Sequence, residues 1–197
     1  MRKILLGTTA VVGLALVAQA ANAQQARPAA RPAPAPVAAP AAPPALPATS
    51  VAPTGTAAAI SPTSNLFLGS GFFDYLASDA AGLRYGLASD VGGGTSFSPF
   101  HTMLAAYYVG REGHTKPGVS LAPGHLWWQH TAGAAQALGL AGVIGNLQPG
   151  CEADFLVLDP QATPLLARKT QMAHSLDELL FSLIVLGDDR VITRTHI

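Results

Sequence analysis

Along this chain the apolar positions follow three different patterns. Behind Arg2 and Lys3 they run almost unbroken from Ile4 to Val17 and end at Ala21-Asn22-Ala23, the small-x-small arrangement that a signal peptidase cuts. A spanning helix needs ~20 apolar residues. This run is shorter and is interrupted by Gly7, Thr8, Thr9 and Gly13, so residues 1–23 read as a secretory signal peptide and not as a stable membrane span. From Gln24 to Ala59 the apolar residues are almost all Ala, broken by Pro at 28, 32, 34, 36, 40, 43, 44, 47 and 53. Proline removes backbone donors and Ala offers little surface for a core, so residues 24–59 read as a disordered Ala/Pro-rich linker, extended and polyproline-like. Larger apolar residues recur only from Ile60, and the folded body is expected over residues 60–197.

Within that body the periods predict a sequence of elements. Pro62 to Gly71 is rich in Pro, Ser, Asn and Gly and predicts a loop. Gly71 to Ala77 has aromatic and aliphatic residues at helical spacing and predicts a short amphipathic helix. Leu83 to Ala88, bounded by Gly82 and Asp90, predicts a buried parallel strand. Ser98 and Pro99 open a helix that runs through Val109, and a second helix is predicted from about Ala122 to Leu138, with Leu126, Trp127, His130, Ala134 and Leu138 near one face. Ala141 to Asp159 predicts two strands joined by tight turns, the second over Ala153 to Leu158. Ser175 caps a last helix to Leu186, with Asp177 and Glu178 in its first turn, and Val191 to His196 predicts a final strand.

The formal charge of zero conceals an asymmetry. Arg2, Lys3, Arg27 and Arg31 precede the body, which then carries seven basic residues against eleven acids, a net of about minus four with no basic cluster. That excludes the electrostatic footprint of a nucleic-acid binder. The body's 138 or so residues are about half of a ~250-residue β/α barrel. Cys151 is the single cysteine and has no partner for an intramolecular disulfide.

A helix, then a buried strand, then a carboxylate at the strand's C-terminal tip is the order of one β/α barrel unit, and in such barrels the reactive groups sit at the C-terminal ends of strands. Asp90 is therefore the candidate reactive residue. The following Val91-Gly92-Gly93-Gly94-Thr95-Ser96 lacks the Lys-Ser/Thr ending of a P-loop and the spacing of a dinucleotide fingerprint. Its glycines instead suit a sharp turn beside a bound metal and substrate. The histidines do not form a ligand set. His125 and His130 are five apart and fall on different helix faces, His101 sits close to the Asp90 loop, and His114, His174 and His196 stand singly. The His-x-Glu and Pro-Cys-x-x-Cys signature of cytidine-type zinc deaminases is absent.

Pro62-Thr63-Ser64-Asn65-Leu66-Phe67-Leu68-Gly69-Ser70-Gly71, the Gly86 to Ser98 segment around Asp90, Ile144 to Gly150 and Leu186-Gly187-Asp188-Asp189-Arg190 together resemble the C-terminal part of guanine deaminases, members of the amidohydrolase superfamily. The resemblance runs from about Pro62 nearly to the C-terminus. It implies an α/β fold: the C-terminal part of a metal-dependent hydrolase β/α (TIM-like) barrel, plus part of a small β-sandwich domain. It implies hydrolytic deamination of guanine to xanthine and ammonia with a Zn or Fe ion. Asp90 occupies the position of the family's metal-binding, proton-relaying Asp, and Ser64, Asn65, Gly92, Gly93 and Thr95 would shape the pocket beside it. The family's His-x-His pair, its further His and its substrate-anchoring Gln and Arg have no counterparts in these 197 residues, and Ser61 replaces the family's Cys.

Three readings follow: a guanine deaminase family chain that is inactive alone, an exported non-enzymatic binding or structural remnant, and one half of a two-chain enzyme. The partners implied are guanine, a complementing N-terminal fragment or a homo-oligomer. The leader implies export to the periplasm or medium, whereas the family's members are otherwise cytoplasmic.

Overall fold

Two short strands pair in parallel and set the frame. In a computed structural model that describes residues 55–197, strand β1 (Ala57–Ile60) lies beside β2 (Arg84–Leu87), with Ala57 opposite Arg84 and Ile60 opposite Leu87. The ladder continues where the Ala88 N–H donates to the Ile60 carbonyl at 2.8 Å. The leader, and the linker as far as Thr54, lie outside the described residues. Residues 57–59, placed in the linker by composition, form a strand instead: a strand needs only backbone pairing, which Ala supplies as well as any residue. β2 is the buried strand the apolar run predicts, with Tyr85, Gly86 and Leu87 all buried.

Parallel neighbours require a crossover, and here two helices provide it. The first, α1 (Pro62–Leu68), replaces the expected loop. Its Pro and Gly act as helix punctuation: Pro62 stands at the first helical turn, while Gly69 (φ 68°) ends the helix in the left-handed region with its N–H on the Asn65 carbonyl. The second, α2 (Tyr75–Ala80), begins four residues later than expected because Asp74 caps it, its Oδ1 accepting from the Ala77 N–H at 3.0 Å.

After β2 comes α3 (Pro99–Arg111), starting where Ser98-Pro99 places it. The long helix expected over 122–138 is two, α4 (Pro123–His130) and α5 (Ala132–Ala137). Thr131 breaks it at φ −124°, ψ −105°, its hydroxyl donating to the Trp127 carbonyl at 2.9 Å. The break brings Gly133 against Trp128 so closely that a Cβ there would lie 2.6 Å from the indole ring. Residues 141–150 form turns with one isolated bridge, Ala141 to Ile144, in place of the first expected strand. Positive φ at Gly142, Gly145 and Gly150 prevents an extended run there.

The second expected strand is present as β3 (Phe155–Leu158), antiparallel to β4 (Ile192–His196). Between them lie α6 (Pro164–Thr170), α7 (Leu176–Leu186) and a 3-10 turn, Asp189–Val191. α6 is an addition to the expected elements. Its cap is Thr163, whose Oγ1 accepts from the Leu166 N–H at 3.3 Å, followed by Pro164. α7 starts at Ser175 as predicted, with Ser175 Oγ accepting from the Glu178 N–H at 3.2 Å. Ser175→Ala should therefore cost about 1 kcal/mol, read as a lower urea midpoint at unchanged slope.

The core gathers Ile60 and Leu87 from the parallel strands, Phe100 and Met103 from α3, Leu126 from α4 and Leu183 from α7. α4 is central, packing against β2, α3, α5 and α7.

Candidate active site

The parallel pairing of β1 and β2 brings the residues just beyond their C-terminal ends together. Ser64 follows β1 on α1, and Asp90 follows β2 on the next turn. The Ser64 hydroxyl donates to Asp90 Oδ2 at 2.7 Å across 26 residues of sequence. Ser64 is buried and Asp90 exposed.

Asp90 is the one non-glycine residue with positive φ (47°) among those described. That left-handed turn is unfavourable for most side chains, although Asp and Asn tolerate it best. Here it is closed by two amides, Gly93 N–H at 3.0 Å and Gly94 N–H, both donating to the Asp90 carbonyl. The glycines have separate reasons. Gly92 has φ 115°. A Cβ on Gly94 would lie 2.0 Å from the Ser89 carbonyl oxygen, and one on Gly93 would lie 2.8 Å from Asp90 Oδ2. The three-glycine run is thus built around the Asp90 turn and its carboxylate.

Of the other residues expected to shape the pocket, Asn65 turns elsewhere, its Nδ2 donating to Ser70 Oγ at 2.9 Å, and Thr95 is exposed further along the loop. The motif ending at Arg190 closes on itself. Asp188 and Arg190 form an ion pair at 2.5 Å, which holds the Asp188 carboxyl below its usual range through its hydrogen bond to Arg190. Gly187 lets the chain close over the end of α7, since a Cβ there would lie 2.4 Å from the Leu183 carbonyl oxygen and 3.2 Å from the Phe100 ring.

Two of the histidines stack on aromatic rings. His125 stacks on Trp128 (5.5 Å between centroids) and lies 2.8 Å from Gln129 Nε2, and His196 stacks on Phe155 at 4.3 Å. His130 is half-buried with its Nε2 enclosed, and desolvation pushes its pKa down to about 4. It borders a groove of about 490 Å³ with Trp127, Leu138, Asn146, Asp154 and Leu156. His101 is exposed and borders a separate depression with Ser96, Asp188 and Asp189.

Among the described residues no three His, Cys, Asp or Glu side chains stand together so as to hold a metal ion. One carboxylate hydrogen-bonded to a serine does not by itself fit Zn or Fe, which usually take three protein ligands. Nor is any described helix long and apolar enough to cross a membrane. Sequence reasoning places Ser64 beside the pocket only through the family motif, and the pairing with Asp90 becomes visible only when the parallel register is known. The burial of His130 is likewise hidden in the sequence, since its position on a helical face says nothing of what covers it.

Most of the chain is similar to known proteins. A guanine deaminase from Escherichia coli (strain K12) is 39% identical over 147 residues, 75% of this chain and 33% of that protein. The solved structure of E. coli guanine deaminase superposes with a TM-score of 0.72 at 38% identity, covering 76% of this chain and 34% of that one. Guanine deaminase from Bradyrhizobium japonicum superposes with a TM-score of 0.65 at 30% identity, covering 74% and 37%. This chain therefore spans about a third of the length of the relatives it matches. The fold is the C-terminal part of a β/α-barrel hydrolase with part of the small β domain, as the resemblance implied. The family model described as "Amidohydrolase family" matches residues 4–185, a range that also takes in segments read above as leader and linker. With most of its length inside that match, the chain belongs to the amidohydrolase family.

Proposed function

We propose that Asp90 is the proton-handling carboxylate of a hydrolytic deamination of guanine, and that these 197 residues supply the Asp-bearing part of a metal-dependent aminohydrolase. The observation that carries this reading is the Asp90 turn itself: a carboxylate at the C-terminal end of a parallel strand, held in a left-handed conformation and oriented by a buried serine hydroxyl. Likeness to guanine deaminases over three quarters of the chain supports guanine as the substrate.

The overall reaction forms a C–O bond and breaks a C–N bond at the carbon bearing the exocyclic amine, so that guanine and water give xanthine and ammonia. In this reading Asp90 takes the proton released by the attacking water and returns it to the departing amine, ending ionised as it began. Among the described residues no three metal-ligating side chains stand together, and the sequence of residues 1–54 contains no His, Cys, Asp or Glu. In this reading the further ligands, for Zn or Fe, come from a complementing polypeptide outside these 197 residues. The leader would direct the chain to the periplasm or medium.

Ammonia release tests the reading. The 197-residue chain should be silent on guanine with Zn or Fe added. It should give turnover when mixed with the N-terminal two thirds of a related guanine deaminase, and Asp90→Asn should abolish that turnover. Turnover that survives Asp90→Asn would sink the assignment, and turnover by the chain alone would sink the need for outside ligands.

A further inference from the structure

We propose that the Ser64 hydroxyl, seated in the space that Gly93 leaves open, acts as a clamp on Asp90 Oδ2, making Ser64 a positioning residue and leaving Oδ1 as the oxygen that Asp90 presents. The consequence for catalysis rests on the reading of Asp90 as the reacting carboxylate; the clamp itself does not.

The clamp is the Ser64 hydroxyl, 2.7 Å from Oδ2 on a residue only 3% exposed. Its position is fixed by its neighbours, since Pro62 and Thr63 are buried with it at the start of α1, directly after the strand that pairs with β2. A hydrogen bond to an ionised oxygen is among the stronger ones, and a donor from a buried residue loses little further entropy in holding it.

Gly93 leaves the space in which Oδ2 and that hydroxyl meet. A Cβ at that position would lie 2.8 Å from Oδ2 and 3.2 Å from Ser64 Oγ, so the absent methyl marks the space that the hydrogen-bonded pair fills. The Asp90 main chain cannot relax to meet these constraints, because its turn is closed by the Gly93 and Gly94 amides. Oδ1, by contrast, has no hydrogen bond among the described residues, and Asp90 is exposed to solvent. A carboxylate with one oxygen fixed and the other free is pre-oriented for proton transfer in one direction.

The glycines in the loop allow the clamp to be tested without breaking the turn. A Cβ on Gly94 would strike the Ser89 backbone, whereas one on Gly93 meets only the ends of two side chains, and Gly93 does not have positive φ. Gly93→Ala should therefore displace the carboxylate and keep the loop.

The experiment is NMR on the full 197-residue chain, labelled with 13C and 15N. The three-bond couplings to the two Asp90 β protons should differ strongly in the parent, reporting a single χ1 rotamer. Ser64→Ala should draw them toward equal values while the Gly93 and Gly94 amide resonances remain dispersed. Gly93→Ala should shift them to another pattern. Averaged couplings in the parent, or a parent-like pattern in either variant, would overturn the clamp. If Ser64→Ala does not fold, the parent and Gly93→Ala decide. These couplings are read without substrate, so the clamp and the assignment of guanine deamination fail separately.

Discussion

Leu126→Ala should destabilise the body by about 2–5 kcal/mol, the range for emptying a fully buried leucine site. Leu126 is 0% exposed and sits on α4, the helix that packs against β2, α3, α5 and α7. A cavity there removes contacts from several elements at once, and the break at Thr131 limits how far α4 can shift to fill it. Domains of this size are stable by roughly 5–15 kcal/mol, so the variant should lose a large fraction of its stability. Urea denaturation followed by far-UV circular dichroism reads the effect, and Phe67→Ala is the control. Phe67 is 70% exposed on α1, and its truncation should fall within ~0.5 kcal/mol of the parent. A loss of less than about 1 kcal/mol for Leu126→Ala, well below the range for a buried leucine, would mean that α4 is not the centre of the core.

The elements legible in the sequence are those whose signal is local. Ser175 with Asp177 and Glu178 announces α7, Ser98-Pro99 announces α3, and the apolar run before Asp90 announces β2. Elements whose cues have two meanings are not legible in this way. Pro62 and Gly69 suggest a loop, yet the same residues open and close a seven-residue helix. Thr131 and Gly133 look harmless inside an apolar helical pattern, but the close approach of Gly133 to Trp128 depends on a break that periodicity does not register. At Ala57–Ala59 composition argues for a tether, and the deciding contact is a ladder to β2 some 27 residues further on.

The candidate site divides in the same way. Asp90 can be singled out because strand, tip and glycine-rich loop are contiguous. Its partner Ser64 cannot be derived from spacing, since only the parallel register puts the two strand exits side by side. In sequence the Gly92-Gly93-Gly94 run reads as a single device for turning the chain. In the structure Gly92 supplies a positive φ, Gly93 leaves room for a carboxylate, and Gly94 avoids a backbone collision. Side chains of any size would disturb all three, but for different reasons and with different consequences.

His130 should make the stability of the body fall as the pH drops from about 6.5 to about 4. Its Nε2 is buried with no hydrogen-bond partner among the described residues, and desolvation lowers its pKa from 6.5 to about 4. In the unfolded chain the imidazole returns to the ordinary value. Above pH 6.5 it is neutral in both states and contributes no slope. Between 6.5 and 4 the unfolded chain binds a proton that the folded chain refuses, so acidification favours unfolding; below 4 both states are protonated and the effect levels off. A tenfold difference in proton affinity between the two states corresponds to about 1.4 kcal/mol, which gives a total loss of about 3 kcal/mol across the window. Urea midpoints of the parent and of His130→Leu at closely spaced pH values isolate this contribution from that of every other titrating group. The variant keeps an apolar body of similar size beside Trp127 and Leu138 and has nothing to protonate. The two profiles should run parallel above about pH 7 and diverge below it, with the variant increasingly the more stable relative to its value at neutral pH. Profiles that stay parallel down to about pH 4 would show that the His130 imidazole reaches solvent, and that the groove it borders is open enough to hydrate a charge.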